Sequence, residues 1–265
     1  MFGIVNITED SFSDGGRYRD PEAAIAHAQA LVADGAFAVD LGAAASNPDA
    51  RPVEPAEEIE RLAPVLDVLL PAGVRVSVDS WKTETQRYCL GRGVAFLNDI
   101  RGFADPTFDE ELAAADCRLI VMHSTSREAI AERRPLGRDE VLSSIYRFFD
   151  ERIRRLTAAG VSPDRLIIDP GMGLFLSSDA TASFAVLADL ERLKRTFGLE
   201  VMVSVSRKSF LAAACGREVG ERGAATLGAE IAAALRGADY IRTHDVRALS
   251  DALAAVRAVF REAVD

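Results

Sequence analysis

The sequence predicts a (β/α)8 barrel, and three observations carry that prediction. Short apolar runs alternate with longer amphipathic stretches along all 265 residues. That length is close to the roughly 250 residues such a barrel takes. No linker or shift of composition divides the chain, so a single domain over residues 1–265 is expected. Polar and charged residues end almost every apolar run, as they do where a parallel barrel carries its chemistry. A doubly wound open sheet would also alternate strands and helices. Eight regular units filling the chain favour closure into the TIM-barrel form.

The predicted strands are FGIVNI (2–7), FAVDLG (37–42), VRVSVD (74–79), VAFLND (94–99), RLIVMH (118–123), RLIIDP (165–170), VMVSVS (201–206) and YIRTH (240–244). Most are continuous Val, Ile, Leu and Phe, which suits parallel strands covered by helices. The segments between them have helical periodicity. Asp20-Pro21 reads as an N-cap with proline at the first helical position, and Gly35 as the stop. Ile25, Ala28, Leu31 and Val32 fall on one face of that helix. Ile59, Leu62, Leu66 and Leu69 form the next stripe, with Pro64 expected to kink it and Pro71 and Gly73 to end it. Leu142, Ile145, Phe149, Ile153 and Leu156 form a third stripe, and Ala248, Leu249, Leu253, Val256 and Phe260 a last one.

Composition excludes several classes. A net charge of −10 leaves no basic face for nucleic acid or an anionic membrane. No apolar run approaches the roughly 18 residues of a membrane span. The N-terminus has no basic segment leading into an apolar one, so a secretory signal is not expected and a cytoplasmic location is. Cys89, Cys117 and Cys215 are widely spaced, which fits a reducing compartment rather than a disulfide framework. With three histidines in all, a His-rich metal cage is excluded.

The strand ends define a ring. Asn6, Asp40, Asp79, Asn98-Asp99, His123, Asp169, Arg207-Lys208, Arg242 and His244 stand at or near the ends of successive strands. One such acid is explained by helix capping, but a whole ring is not. Acids and amides come from strands 2, 3, 4 and 6, and bases from strands 7 and 8. The acidic side suits a nitrogen-rich heterocycle, whose paired N–H donors a carboxylate accepts. The basic side suits a phosphate. Ser206-Arg207-Lys208-Ser209 is expected to open a helix whose N-terminus adds to an anion site. Arg242 and His244 are two apart in a strand, point the same way, and read as an anion clamp. His123 reads equally as an orienting residue, and His27 as an ordinary helix residue. The first loop (8–16) carries Glu9, Asp10 and Asp14 and ends in Gly-Gly, the profile of a functional loop. Its acids beside Asn6 are suited to Mg²⁺ held together with a substrate phosphate.

These motifs, in order, are GIVNITEDSFSDGG (3–16), VSVDS (76–80), LNDI (97–100), VMH (121–123), DPGMG (169–173), SRKS (206–209) and IRTHDV (241–246). Together they resemble the dihydropteroate synthase family over almost the whole chain. The resemblance implies condensation of 6-hydroxymethyl-7,8-dihydropterin diphosphate with p-aminobenzoate, releasing pyrophosphate in folate synthesis. It implies Asn6 as the Mg²⁺ ligand, with Asp79, Asn98, Asp169 and Lys208 holding the pterin and Met122 packing against it. Arg242 and His244 would hold the diphosphate. Asp14 and the second loop, with Ser46, would close over the site, and Ser209 would meet the carboxylate of p-aminobenzoate. Asp14, Asp79, Asp169 and Lys208 are the implied catalytic set. A homodimer through the last helices is implied as well.

Two loops depart from the family pattern. The second usually reads Gly-Glu-Ser-Thr-Arg-Pro-Gly; here Ala43-Ala44-Ala45-Ser46-Asn47-Pro48-Asp49 puts Asn47 where an arginine is expected, and Arg51 stands as a replacement. The sixth continues Leu174-Phe175-Leu176-Ser177-Ser178-Asp179 instead of Gly-Phe-Gly-Lys, and lines the p-aminobenzoate pocket in the family. Both departures resemble the sulfonamide-insensitive branch, although Leu174 stands where that branch has Phe. Alternatives are a pterin-binding methyltransferase domain and a non-catalytic pterin-binding paralogue. The SFSDGG loop and the Arg242/His244 pair speak against the methyl carrier, whose ligand has no diphosphate.

Overall fold

The structure, a computed structural model, describes residues 1–7, 21–47, 51–126 and 131–262. Eight parallel strands close into a barrel in sequential order. They are β1 (Phe2–Asn6), β2 (Ala38–Gly42), β3 (Val76–Asp79), β4 (Phe96–Asp99), β5 (Arg118–Met122), β6 (Leu166–Asp169), β7 (Glu200–Val203) and β8 (Tyr240–Thr243). Closure is made by β8 against β1, with Phe2 opposite Arg242 and Gly3 opposite Thr243. Around them run α1 (Pro21–Ala33), α2 (Pro55–Leu69), α3 (Thr83–Gly91), α4 (Asp109–Ala114), α5 (Arg138–Ala158), α6 (Ala180–Phe197), α7 (Ala212–Cys215), α8 (Gly223–Leu235) and α9 (Val246–Glu262).

Alternation along each strand sorts side chains into two shells. Val39, Leu41, Val76, Val78, Leu119 and Val121 face the helices and belong to the main core. Phe2, Ala38, Phe96, Ile120, Ile167 and Met202 face inward and fill the base of the barrel. The Phe2 ring meets Phe96 at 4.9 Å and Tyr240 at 5.3 Å, both edge-on. With the base packed shut, inward residues nearer the strand ends can only line the opposite mouth. Gly3 is required by packing, because a Cβ there would meet the Leu31 side chain of α1 at 2.9 Å.

α2 runs through Pro64 to Leu69 as one helix, with Leu62, Val65, Leu66 and Leu69 buried. Several local expectations are corrected. Val32 is exposed, and α1 packs through Ala24, Ala28 and Leu31 instead. In α9 only Leu249 of the predicted stripe is buried, and Phe260 is 57 % exposed. No long helix opens at 206–209. A 3-10 turn, Ser209–Leu211, leads into the single turn of α7, which Gly216 stops in the left-handed conformation.

Phe2→Ala removes the ring on which the barrel base closes, and is expected to cost about 3–5 kcal/mol in urea unfolding.

Candidate active site

At the C-terminal mouth the inward residues of β2, β3, β4 and β8 form one network. Arg242 donates from Nε to Asp40 Oδ2 and from Nη2 to Asp79 Oδ2, the latter at 2.8 Å. Asn98 Nδ2 donates to the same Asp40 oxygen at 3.2 Å. Asp40 is fully buried. Burial works against the Arg242 guanidinium, but Asp40 and Asp79 more than offset it and hold its pKa above the ordinary value. Arg242 is thus an internal ion-pair partner here, where the spacing alone suggested a clamp open to an anion.

Asp79 carries the cost of this crowding. Burial pushes its pKa from 3.8 up to about 7; Arg242 opposes the rise, and Asp40 and Asp99 add to it. Asp169 is also raised by burial, against the Gly171 N–H that it accepts at 2.8 Å and the nearby Lys208. Burial lowers Lys208 to about 8 although Asp169 favours its charge. Its Nζ donates to the Met172 carbonyl at 3.2 Å and stands 4.7 Å from the centre of the Phe175 ring. Phe175 packs against Ile100 and Met122, giving the mouth an apolar shelf beside its acids. A flat heterocycle with N–H donors on one edge fits such a place.

His244 lies on the inward side after β8, as its spacing predicts. Its Nδ1 shares a hydrogen bond with the Ser206 hydroxyl at 2.9 Å, and that hydroxyl oxygen accepts the His244 backbone N–H at 3.3 Å. Burial, with Arg207, Arg242, His27 and Lys208 adding, lowers its pKa to about 3. It is therefore the neutral, hydrogen-bonding member of the pair that the spacing reads as an anion clamp. His27, read as an ordinary helix residue, lies close enough to act on it. Ser209 is exposed at the start of its 3-10 turn, next to Lys208.

His123 takes the orienting role. It is buried, with Nδ1 against the Pro170 carbonyl at 3.2 Å and Nε2 against Ser144 Oγ at 3.0 Å. It ties the fifth loop to the sixth. Gly171 completes that contact, since at φ +75° a Cβ would meet the His123 carbonyl oxygen at 2.4 Å. The sixth loop is held further by Thr125, whose N–H donates to the Phe175 carbonyl at 2.8 Å. Leu174 and Phe175 are both half-buried in that 3-10 turn.

Asn6 is half-buried at the end of β1. Asp14 and the rest of the first loop lie outside the described residues, as do Pro48 and Asp49. Ser46 is half-buried and accepts the Ala131 N–H at 3.0 Å. Together with Asp79, Trp81, Ile100 and Arg101 it lines a cavity of about 650 Å³. Arg51 pairs with Glu57 at 2.6 Å. Sequence reasoning gave no role to Glu58, which is buried and accepts from Ser80 and Thr85 at 2.7 Å and from Lys82 at 2.8 Å. An acid at a core-facing helical position was its one signal.

The known proteins most useful for comparison agree with this geometry. The family model described as "Pterin binding enzyme" matches residues 2–244. Dihydropteroate synthase type-2 of Escherichia coli is 54 % identical over 98 % of this chain and 95 % of its own length. Dihydropteroate synthase type-1 of Pseudomonas aeruginosa is 53 % identical, over 92 % and 88 %. The Xanthomonas albilineans dihydropteroate synthase solved with 4-aminobenzoic acid superimposes with a TM-score of 0.87 at 35 % identity, covering 97 % of this chain and 92 % of that one. The Yersinia pestis enzyme solved with a sulfonamide drug complex gives 0.88 at 31 % identity, over 98 % and 94 %.

The fold and the mouth therefore define an enzyme that works on a heterocycle at the end of a TIM-type barrel. The chain belongs to the pterin-binding enzymes and, within them, to the dihydropteroate synthases.

Asp79 also leaves a mark on stability. Its folded pKa lies above its ordinary one, so the native state keeps a proton that the unfolded chain releases. Its contribution therefore becomes unfavourable as pH rises toward 7 and is fully unfavourable above it. The melting temperature of Asp79→Asn, relative to the unsubstituted protein, is expected to be higher at about pH 8 than at about pH 5.5. A gap independent of pH would contradict the shift.

Proposed function

We propose that this mouth joins 6-hydroxymethyl-7,8-dihydropterin diphosphate to p-aminobenzoate, giving 7,8-dihydropteroate and pyrophosphate in folate biosynthesis. The observation that carries the reading is one cluster of carboxylates, the buried Asp40 and Asp169 and the half-buried Asp79, with Arg242 and Lys208 among them, beside an apolar shelf. Asp79, Asn98 and Asp169 accept and donate along the polar edge of the pterin, and Met122 and Ile100 lie against its face. Arg242, His244 and the backbone around Arg207 are placed for the diphosphate. The bond between the exocyclic methylene carbon and the diphosphate oxygen breaks, and its electron pair leaves on the phosphate. The methylene left behind is cationic and delocalised into the pterin, and Asp79, ionised above its pKa of about 7, stabilises it together with Asp169. The arylamine nitrogen supplies its lone pair to form the new carbon–nitrogen bond and then loses a proton to solvent. No strong base is needed, and most of the rate comes from positioning and leaving-group stabilisation.

Mg²⁺ fits this site as a partner of the substrate more than of the protein. Among the described residues no group of three His, Cys, Asp or Glu side chains is gathered to hold a metal. Asn6 offers one oxygen at the mouth, and an ion that keeps most of its waters needs few protein ligands. When bound, the ion supplies charge neutralisation to the departing diphosphate. Asp14 of the first loop is proposed to act over the same face.

A cytoplasmic homodimer is proposed on two supports. Cys89, Cys117 and Cys215 are free thiols. Leu235, Val259 and Phe260 expose apolar surface on α8 and α9, beside a groove lined by Met1, Leu253 and Val256. Sedimentation velocity is expected to give twice the chain mass. Among the described residues no helix is long and apolar enough to cross a membrane.

The direct test is pyrophosphate release. Release is expected with both substrates and Mg²⁺ together, and only background when p-aminobenzoate is left out. Background with all components present would remove the assignment.

Partial insensitivity to sulfonamides is proposed from the sixth loop. Phe175 stands over Lys208 and against Met122, where a ring narrows the space around p-aminobenzoate. A drug with a bulkier sulfonyl end meets that ring, and the smaller flat substrate does not. Phe175→Gly is expected to tighten sulfonamide inhibition by about tenfold or more while changing KM for p-aminobenzoate less. Inhibition constants unchanged by the substitution would count against the proposal.

A further inference from the structure

Asp40 has been given no part in the reaction, yet two of the residues that do take part meet on it. Its Oδ2 accepts both Arg242 Nε and Asn98 Nδ2. Arg242 serves the diphosphate half of the substrate and Asn98 the pterin half, so one carboxylate oxygen fixes the distance between the two half-sites. We propose that Asp40 is a positioning residue for the synthase reaction, acting through Arg242 and Asn98. The inference rests on the synthase reading and on the roles given there to those two residues.

Three features separate this from ordinary core structure. Asp40 is 0 % exposed, and a carboxylate that deep is stable only against a cation. Its second oxygen, Oδ1, has no hydrogen-bond partner among the described residues, and neither do Asn98 Oδ1 and Ser77 Oγ. Ser77 lies directly opposite Asp40 in the strand register, so unsatisfied groups gather around this carboxylate on three neighbouring strands. A site selected for packing alone would carry an apolar or neutral residue there. Finally, Arg242 holds Asp40 by Nε and Asp79 by Nη2. The inner nitrogen is anchored on the buried acid, and the outer one sits at the mouth, where a diphosphate can compete for it while the anchor remains.

Asp40 also sets the charge on Asp79. Facing Asp79 are Arg242 from β8, Asp40 from β2, Asp99 from β4 and Glu58 from α2, with Lys208 close by. Asp40 is one of the like charges that raise Asp79. Neutralising it removes that repulsion and leaves Arg242 to Asp79 alone, and both changes favour the ionised form.

The test uses the intact enzyme with Asp40→Asn, which keeps the side-chain shape. Pyrophosphate binding by calorimetry and KM for the pterin diphosphate are expected to weaken by about tenfold, with KM for p-aminobenzoate within about twofold. The acid limb of kcat/KM for the pterin substrate is expected to move down by about one pH unit. A loss of fold alone would not move that limb downward or spare one substrate. Arg242→Met leaves Asp40 buried without its cation, so Asp40→Asn combined with Arg242→Met is expected to melt higher than Arg242→Met alone and to lose no further pyrophosphate affinity. Equal losses for both substrates with an unmoved acid limb, or losses that simply multiply in the double variant, would overturn the role of Asp40. Failure of the unsubstituted enzyme to release pyrophosphate would instead overturn the synthase reading beneath it.

Discussion

The fixed point of the mouth is the buried pair between Asp40 and Arg242. It joins β2 to β8 across 202 residues of sequence, on either side of the strand that closes the barrel. Two buried charges are tolerated there because each answers the other, and because Asn98 and Asp79 take up part of what remains. Everything nearer solvent is arranged on that base. Asp79 gains its raised pKa from the same crowding, and Asn98 gains its orientation from the same oxygen. The base of the barrel does the opposite work. Phe2, Phe96 and Tyr240 close it with their rings, packed with Ala38, Ile120, Ile167 and Met202.

The loops around the mouth are fixed by a second set of contacts. His123 joins the fifth and sixth loops from beneath, and Thr125 holds the Phe175 carbonyl from above. Glu58 draws together Ser80, Lys82 and Thr85, and Lys82 also donates to the Val53 carbonyl, so the second loop's far end is tied to the start of α3. Gln86 continues this to Asp99. The shelf of Ile100, Met122 and Phe175 is therefore set by groups that never touch it. That is how a site gains rigid placement on loops.

The strands were legible because each is a run of β-branched and aliphatic residues between turn signals, and every observed strand falls within its predicted run or one residue of it. The ring of polar strand ends was legible for the same reason, since parallel closure puts all C-terminal ends at one mouth. What the sequence hid is pairing between distant strands. Arg242 and His244, two residues apart, read as an anion clamp. Their partners lie on β2, β3 and the loop after β7, and those partners make one an internal ion pair and the other a neutral imidazole. The expected helix N-terminus at 206–209 failed locally, because the propensity that starts a helix there is cut off by Gly216 one turn later. The exposed faces of Val32 and Phe260 show the remaining limit: periodicity marks an apolar stripe without saying how much of it this chain covers.

These corrections bear on how a protein of net charge −10 receives a diphosphate. Among the described residues, positive charge at the mouth is held in contacts with the protein. Arg242 is already paired, His244 is neutral, and burial has brought Lys208 down to about 8. An anion therefore gains less from bulk attraction than from exchange. On the roles proposed for these residues, it would take hydrogen bonds that Arg242 now gives to Asp79, and the carboxylate so released would become an acceptor for the donors of the pterin edge. Diphosphate and pterin then assist each other's binding through one guanidinium, which a simple cationic patch would not achieve. The same exchange disfavours isolated phosphate, which offers nothing to the released Asp79.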